Sequence, residues 1–221
     1  MRIGILGSGL MGAKLGTLFA RAGHEVVFSY SHDPKKLAKL AKDAGKNASA
    51  GTPADAAEGS DVVLLAVHWS RVNDVIKKAG DLYGKVIVTC SLPMNAADTE
   101  LLIAHKSSGA EELAKKLPGS RIVSAFNTVP SEVLFGVYEA RHKKNRPSLV
   151  CCGDDESAKK IAVKLIQDIG FDPVDAGPLR IARYTEAFAL LVAQLAYEGD
   201  DGPELAYRFE RFEDGVQRPA R

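Results

Sequence analysis

Residues 2–12 read Arg-Ile-Gly-Ile-Leu-Gly-Ser-Gly-Leu-Met-Gly. The apolar run Arg2–Leu6 leads into a turn with glycines at 7, 9 and 12, and an amphipathic stretch, Leu10–Ala22, follows. A second apolar run closes near residue 30. Strand, glycine turn, helix and strand in that order are the context in which G-x-G-x-x-G binds a dinucleotide. Gly7 permits the tight turn, Gly9 lets the backbone approach a pyrophosphate, and Gly12 lets the helix pack close to the strands. The helix amino terminus directs N–H groups and a partial positive charge at the phosphates. The alternative is a glycine-rich turn that binds nothing.

The alternation continues along the chain. The runs Val26–Ser29, Asp61–Val67, Lys85–Thr89, Arg121–Ala125, Ser148–Cys152 and Phe171–Asp175 include several that are apolar almost throughout, as strands covered on both faces require. Asp33-Pro34 and Thr52-Pro53 each offer an N-cap followed by proline, and Gly23, Gly45 and Gly170 stand where helices should stop. The expected fold is α/β, a Rossmann-type, doubly wound, mostly parallel sheet over residues 1–178 with right-handed crossovers. Near Gly177-Pro178 the pattern changes to one long helix, Leu179–Tyr197, a break at Gly199, Gly202 and Pro203, and a charged segment to Arg221. Residues 179–221 are expected to form a short C-terminal helical segment carrying the acceptor site and a dimer contact. The helix's apolar positions, among them Tyr184, Phe188, Leu191 and Leu195, exceed one narrow stripe. Packing on its own sheet and on a second subunit, giving a homodimer, follows from that width.

With 46% apolar and 26% charged residues the chain reads as globular and not disordered. A formal net charge of +1 gives no ground for nucleic acid or an anionic membrane as partner. No apolar run reaches the length of a membrane span, and a strand starting beside Met1 leaves no room for a signal peptide. Cys90, Cys151 and Cys152 have no zinc spacing, and their odd number argues against a disulfide framework. A cytoplasmic protein without a metal site is expected.

The end of the second run selects the nucleotide. NAD sites place Asp or Glu there for the ribose 2′-hydroxyl. This chain has Ser29-Tyr30-Ser31-His32, then Asp33 as a helix cap, with Lys35 and Lys36 beyond it. A carboxylate would repel a 2′-phosphate, whereas Ser31, His32 and Lys36 offer it charge-assisted hydrogen bonds. NADP(H) is therefore expected over NAD(H), with a solvated helix face as the alternative for the lysines.

With these residues in view, the chain resembles the NADP-dependent oxidoreductases that exchange hydride with the deazaflavin coenzyme F420. The same cofactor domain recurs in the cytosolic part of membrane ferric reductases. The resemblance runs through Met1–His24, the Ser31-His32…Lys36 clasp, Val67-His68-Trp69, Ser124–Pro130 and Gly202-Pro203-Glu204-Leu205. The family's clasp is usually Ser-Arg, so His32 is a departure that would soften the preference for NADP. The resemblance implies that Ser8, Gly9, Leu10 and Met11 cradle the pyrophosphate, and that Val67 and His68 line the ribose and adenine side. It also implies that the backbone at Ser91-Leu92 and at Ala125 faces the nicotinamide, with Asn127 alongside. Each position closes an apolar run, where ligands of parallel sheets sit. The other readings remain open: His68 as a cap for a helix near Ser70, Trp69 as packing, and Asn127 and Thr128 as turn formers ahead of Pro130. The basic stretch Arg141–Arg146 is either a solvated loop or an attractor for an anionic second substrate.

No acid–base pair, nucleophile or metal cluster stands out, so no catalytic residue is assigned. Hydride transfer between nicotinamide and a flavin-like acceptor (F420, FMN or FAD) needs none, since the cofactors carry the chemistry. Two rivals stand beside this reading. One is a hydroxyacid or imino-acid dehydrogenase, which generally needs a helical substrate domain that the stretch after Pro178 is too short to supply. The other is an NADP(H)-binding sensor without turnover.

Overall fold

The computed structural model describes residues 1–211; the part of the expected C-terminal tail from 212 to 221 lies outside the described residues. Eight strands form one sheet in the order β3-β2-β1-β4-β5-β6-β7-β8. They are β1 (Arg2–Leu6), β2 (Glu25–Ser29), β3 (Ala48–Ala50), β4 (Val62–Leu65), β5 (Val86–Thr89), β6 (Arg121–Ala125), β7 (Ser148–Gly153) and β8 (Asp172–Asp175). Neighbours are parallel except β6 and β7, which pair antiparallel through Ala125 and Cys151. The doubly wound, mostly parallel sheet expected from the sequence is the observed architecture. The edge strand β3 is an addition, because Ala-Ser-Ala, half-exposed, carries no apolar run to read.

Helices cover both faces, as near-continuous apolar strands demand. The core on one face gathers residues from α1 (Leu10–Arg21), α2 (Pro34–Ala44), α6 (Val133–Glu139) and α7 (Glu156–Asp168). The other gathers α3 (Pro53–Ala57), α4 (Val72–Ala79), α5 (Gly109–Lys116) and the start of α8 (Ala182–Tyr197). The expected caps form: Asp33 accepts from the Lys35 amide at 2.9 Å, and Thr52 makes a reciprocal capping box with Asp55. The long C-terminal helix begins as a single 3-10 turn, Leu179–Ile181, before becoming α-helical. Leu179 and Ala182 are buried in the sheet core, and Tyr207 lies against β7, its carbonyl accepting from the Ser148 amide at 2.8 Å. None of the described helices is long and apolar enough to cross a membrane.

What fixes α8 is a set of polar bonds to α5. The Glu186 carboxylate, 1% exposed, accepts from the amides of Gly109 at 2.8 Å and Ala110 at 3.0 Å, at the amino terminus of α5. Three residues earlier, Arg183 donates two bonds to Glu111, at 2.8 and 2.6 Å. Burial pushes Glu186 up to about 7 against the pull of its two amide bonds, and the Glu111 charge adds to the rise. The folded chain then holds a proton to about pH 7 that the unfolded chain releases near 4.5. The stability linked to that proton is complete below pH 4.5 and lost as the pH rises towards 7. Relative to Glu186→Gln, which does not titrate, the wild type should lose roughly 3 kcal/mol between those pH values in denaturant unfolding. A difference that stays constant across the range contradicts this.

Candidate cofactor-binding site

The glycine turn joins β1 to α1 where the strand order changes direction. Gly7 has φ +117°, and a Cβ there would lie 2.3 Å from the Ala66 carbonyl oxygen. A Cβ on Gly12 would lie 1.8 Å from the Gly7 carbonyl oxygen, so the helix can close on the turn only with glycine at that place. Gly9 is different. Its φ of −74° suits any residue, and an added Cβ would meet nothing within 4 Å. The space above it is open, as a pyrophosphate requires. Helix α1 has no side-chain cap and no acidic residue in its first turn, whereas Asp33, Thr52, Ser108 and Asp155 cap α2, α3, α5 and α7. Its first amides therefore remain available to an anion. These residues fit a dinucleotide. At Ser8 only the main chain is open to a ligand, because its buried hydroxyl donates to the Ser29 carbonyl at 2.9 Å.

At the end of β2, Tyr30 adopts φ +59°, a strained conformation for a non-glycine residue. It leads into a groove of about 260 Å³ lined by Tyr30, Ser31, His32, Arg71, Asp74 and Lys78. Asp33 faces its own helix as a cap, so the strand tip carries no free carboxylate for a ribose. Lys36 is exposed on the first turn of α2, outside this lining. His68 takes the cap reading: its Nδ1 accepts from the Ser70 amide at 3.2 Å. Its Nε2 lies 3.3 Å from the Asn95 carbonyl and 3.2 Å from Asp98. Val67 and Ser91 bond to each other, the Ser91 hydroxyl donating to the Val67 carbonyl at 2.7 Å. They tie the ends of β4 and β5 together.

On the other side of the turn lies a cleft of about 230 Å³. Leu10, Met11, Leu92 and Asn127 line it from the sheet side, and Ala189, Val192, Ala193 and Tyr197 of α8 form the opposite wall. The Ala125 side chain is fully buried, so only its backbone, the part expected to face the nicotinamide, is available there. The next residue, Phe126, has φ +65° and lines the cleft with Asn127. The strand's last side chain stays in the core and the left-handed residue turns the chain outward. Thr128 is also buried, bonded to the Tyr207 hydroxyl at 2.7 Å. Cys90 lines the cleft too, but burial pushes its thiol up to about 12, so it is not a nucleophile at neutral pH.

The cleft rim carries a polar chain that sequence reasoning missed. Lys14 Nζ donates to the Ser131 carbonyl and hydroxyl at 3.1 and 3.0 Å. Ser131 donates to Glu132 at 3.1 Å, and the Tyr197 hydroxyl donates to the same carboxylate at 2.9 Å. Residues from three distant places in the chain thus pin the end of α8 beside the turn. No local motif announces them. In contrast, the basic stretch is a surface loop: Arg141 stacks on Tyr138, and Arg146 pairs with Asp172 at 3.2 Å.

Residues 2–93 match the model of a family described as NADP oxidoreductase coenzyme F420-dependent. The F420-dependent NADP reductase of Methanocaldococcus jannaschii is 31% identical over 209 residues, covering 88% of this chain and 92% of that protein. The chain belongs to the F420-dependent NADP oxidoreductase family. As a member it is an NADP-dependent oxidoreductase. Rat metalloreductase STEAP3 is also 31% identical, over 189 residues, 86% of this chain but 36% of that protein; this chain thus spans about a third of that relative's length. A crystal structure from Arthrobacter sp. FB24 superimposes with a TM-score of 0.83 at 22% identity, covering 96% of this chain and all of that one. That likeness concerns the fold.

The contrast between Gly9 and Gly12 separates binding from folding. Gly9→Ala should keep the wild-type melting temperature and weaken NADPH binding at least about tenfold in calorimetric titration, by placing a methyl group in the phosphate space. Gly12→Ala should lower the melting temperature as well. Unchanged NADPH affinity in a folded Gly9→Ala protein contradicts the assignment.

Proposed function

We propose that this family member transfers hydride between NADP(H) and a flavin-like ring, with deazaflavin F420 as the acceptor and FMN or FAD as weaker substitutes. The observation that carries this reading is the cleft between the ends of β5 and β6 and the face of α8. Its floor and far wall are mostly apolar, and it adjoins the phosphate turn. Bound there, the nicotinamide supplies the hydride. The chain binds and orients: the α1 amino terminus takes the pyrophosphate, and Ser31, His32 and Lys36 stand on the side of the 2′-phosphate. Leu92, Phe126 and Asn127 set the depth to which a ring enters, while Ala189, Val192 and Ala193 exclude water from its other side. Side-chain placement of two rings supplies much of such catalysis, because orientation converts an encounter into a unimolecular step.

Stopped-flow mixing of the protein with NADPH and F420 should show acceptor reduction matching NADPH oxidation, with deuterium from labelled NADPH on the acceptor after a fast quench. Tight NADPH binding with no reduction of F420, FMN or FAD would replace the enzyme with the sensor. The outer face of α8 bears exposed Tyr184, Leu191 and Leu195, and a second copy of the chain is the proposed cover. Light scattering should report twice the chain mass; a monomer at micromolar concentration removes the dimer.

A further inference from the structure

We propose that Arg71 is the residue that distinguishes a 2′-phosphorylated adenosine from a plain one in the groove beside β2. The proposal rests on the NADP(H) reading of this site. Three charged side chains stand in the groove with Ser31 and His32: Arg71, Asp74 and Lys78. Two of them are committed to each other. Lys78 Nζ donates to Asp74 Oδ2 at 2.9 Å and lies over the Tyr30 ring, 5.4 Å from its centroid. The Tyr30 hydroxyl donates to the same Asp74 oxygen at 2.6 Å. These bonds, with Arg71 adding its charge, hold Asp74 below the usual carboxylate range, so it stays ionised.

Arg71 is uncommitted. Among the described residues its guanidinium makes no hydrogen bond and no ion pair, while its main chain is fixed. It ends the 3-10 turn Trp69–Arg71, and its amide donates to the His68 carbonyl at 2.8 Å. That carbonyl belongs to the residue whose ring caps the turn. With two cations and one anion in the groove, and Lys78 spent on Asp74, the surplus positive charge sits on Arg71. A guanidinium fork matches phosphate geometry in a way an ammonium does not. Ser31 and His32 supply donors from the β2 side and Arg71 closes on the phosphate from the α4 side. The strongest cation therefore comes from a different crossover than Lys36, which stands outside the lining.

Calorimetric titrations with NADPH, NADH, 2′,5′-ADP and 5′-AMP test this. Arg71→Ala should weaken NADPH and 2′,5′-ADP about ten- to a hundredfold, as expected for a lost charge-assisted pair, and leave NADH and 5′-AMP within about twofold. Arg71→Lys should fall between, and Lys36→Ala should cost less than Arg71→Ala. Equal weakening of phosphorylated and plain nucleotides would make Arg71 an adenine-stacking residue and overturn the proposal. Unchanged affinities would overturn it too. A wild type that does not prefer NADPH over NADH would fail the cofactor reading itself and the proposal with it.

Discussion

The structure depends on one close approach. The Gly12 main chain sits so near the Gly7 carbonyl that a Cβ would lie 1.8 Å from it. This contact sets where α1 leaves the sheet, and α1 starts at the point where strand order runs one way to β2 and β3 and the other way to β4 through β8. At such switch points the carboxyl ends of parallel strands leave a crevice. The proposed cofactor and acceptor sites lie along it. The groove past β2 is on one side of the uncapped helix terminus, and the cleft under α8 is on the other.

The two ends are built by different means. In the groove, Lys78 pairs with Asp74 and the Tyr30 hydroxyl bonds to it, which leaves the Arg71 guanidinium without a partner among the described residues. The cleft depends on holding α8 in place. Glu186 and Arg183 fasten its first turns to α5, and Tyr197 fastens its end to Glu132. Burying a carboxylate is costly without donors, so the α5 amides that receive Glu186 make the cleft wall possible. Two strained residues, Tyr30 and Phe126, stand at the entry to groove and cleft respectively. Strain of this kind persists only where the surroundings enforce it.

The sequence made the glycine turn, seven of the strands and the helix caps legible, because each rests on local chemistry with a fixed spacing. It did not show β3, whose three residues pair with β2 without an apolar run to mark them. Nor did it show which neighbour the long helix would face, since apolar breadth says how much is covered and not by what. The positive φ at Phe126, which brings the chain from Ala125 to the cleft, is invisible in composition. His68 was legible as two alternatives, of which the cap on the Ser70 amide is formed. Arg71 and Lys14 were not legible as site residues, because a lone cation on a helix reads the same whether it meets solvent or a groove.

The most direct test is a crystal structure of the chain with NADP⁺. The pyrophosphate should rest on the α1 amino terminus over Gly9, the 2′-phosphate between Ser31 and Arg71, and the nicotinamide in the cleft bounded by Leu92, Asn127 and α8. A nucleotide bound away from the glycine turn, or a nicotinamide directed away from α8, would contradict the assignment of this crevice as the site of hydride transfer.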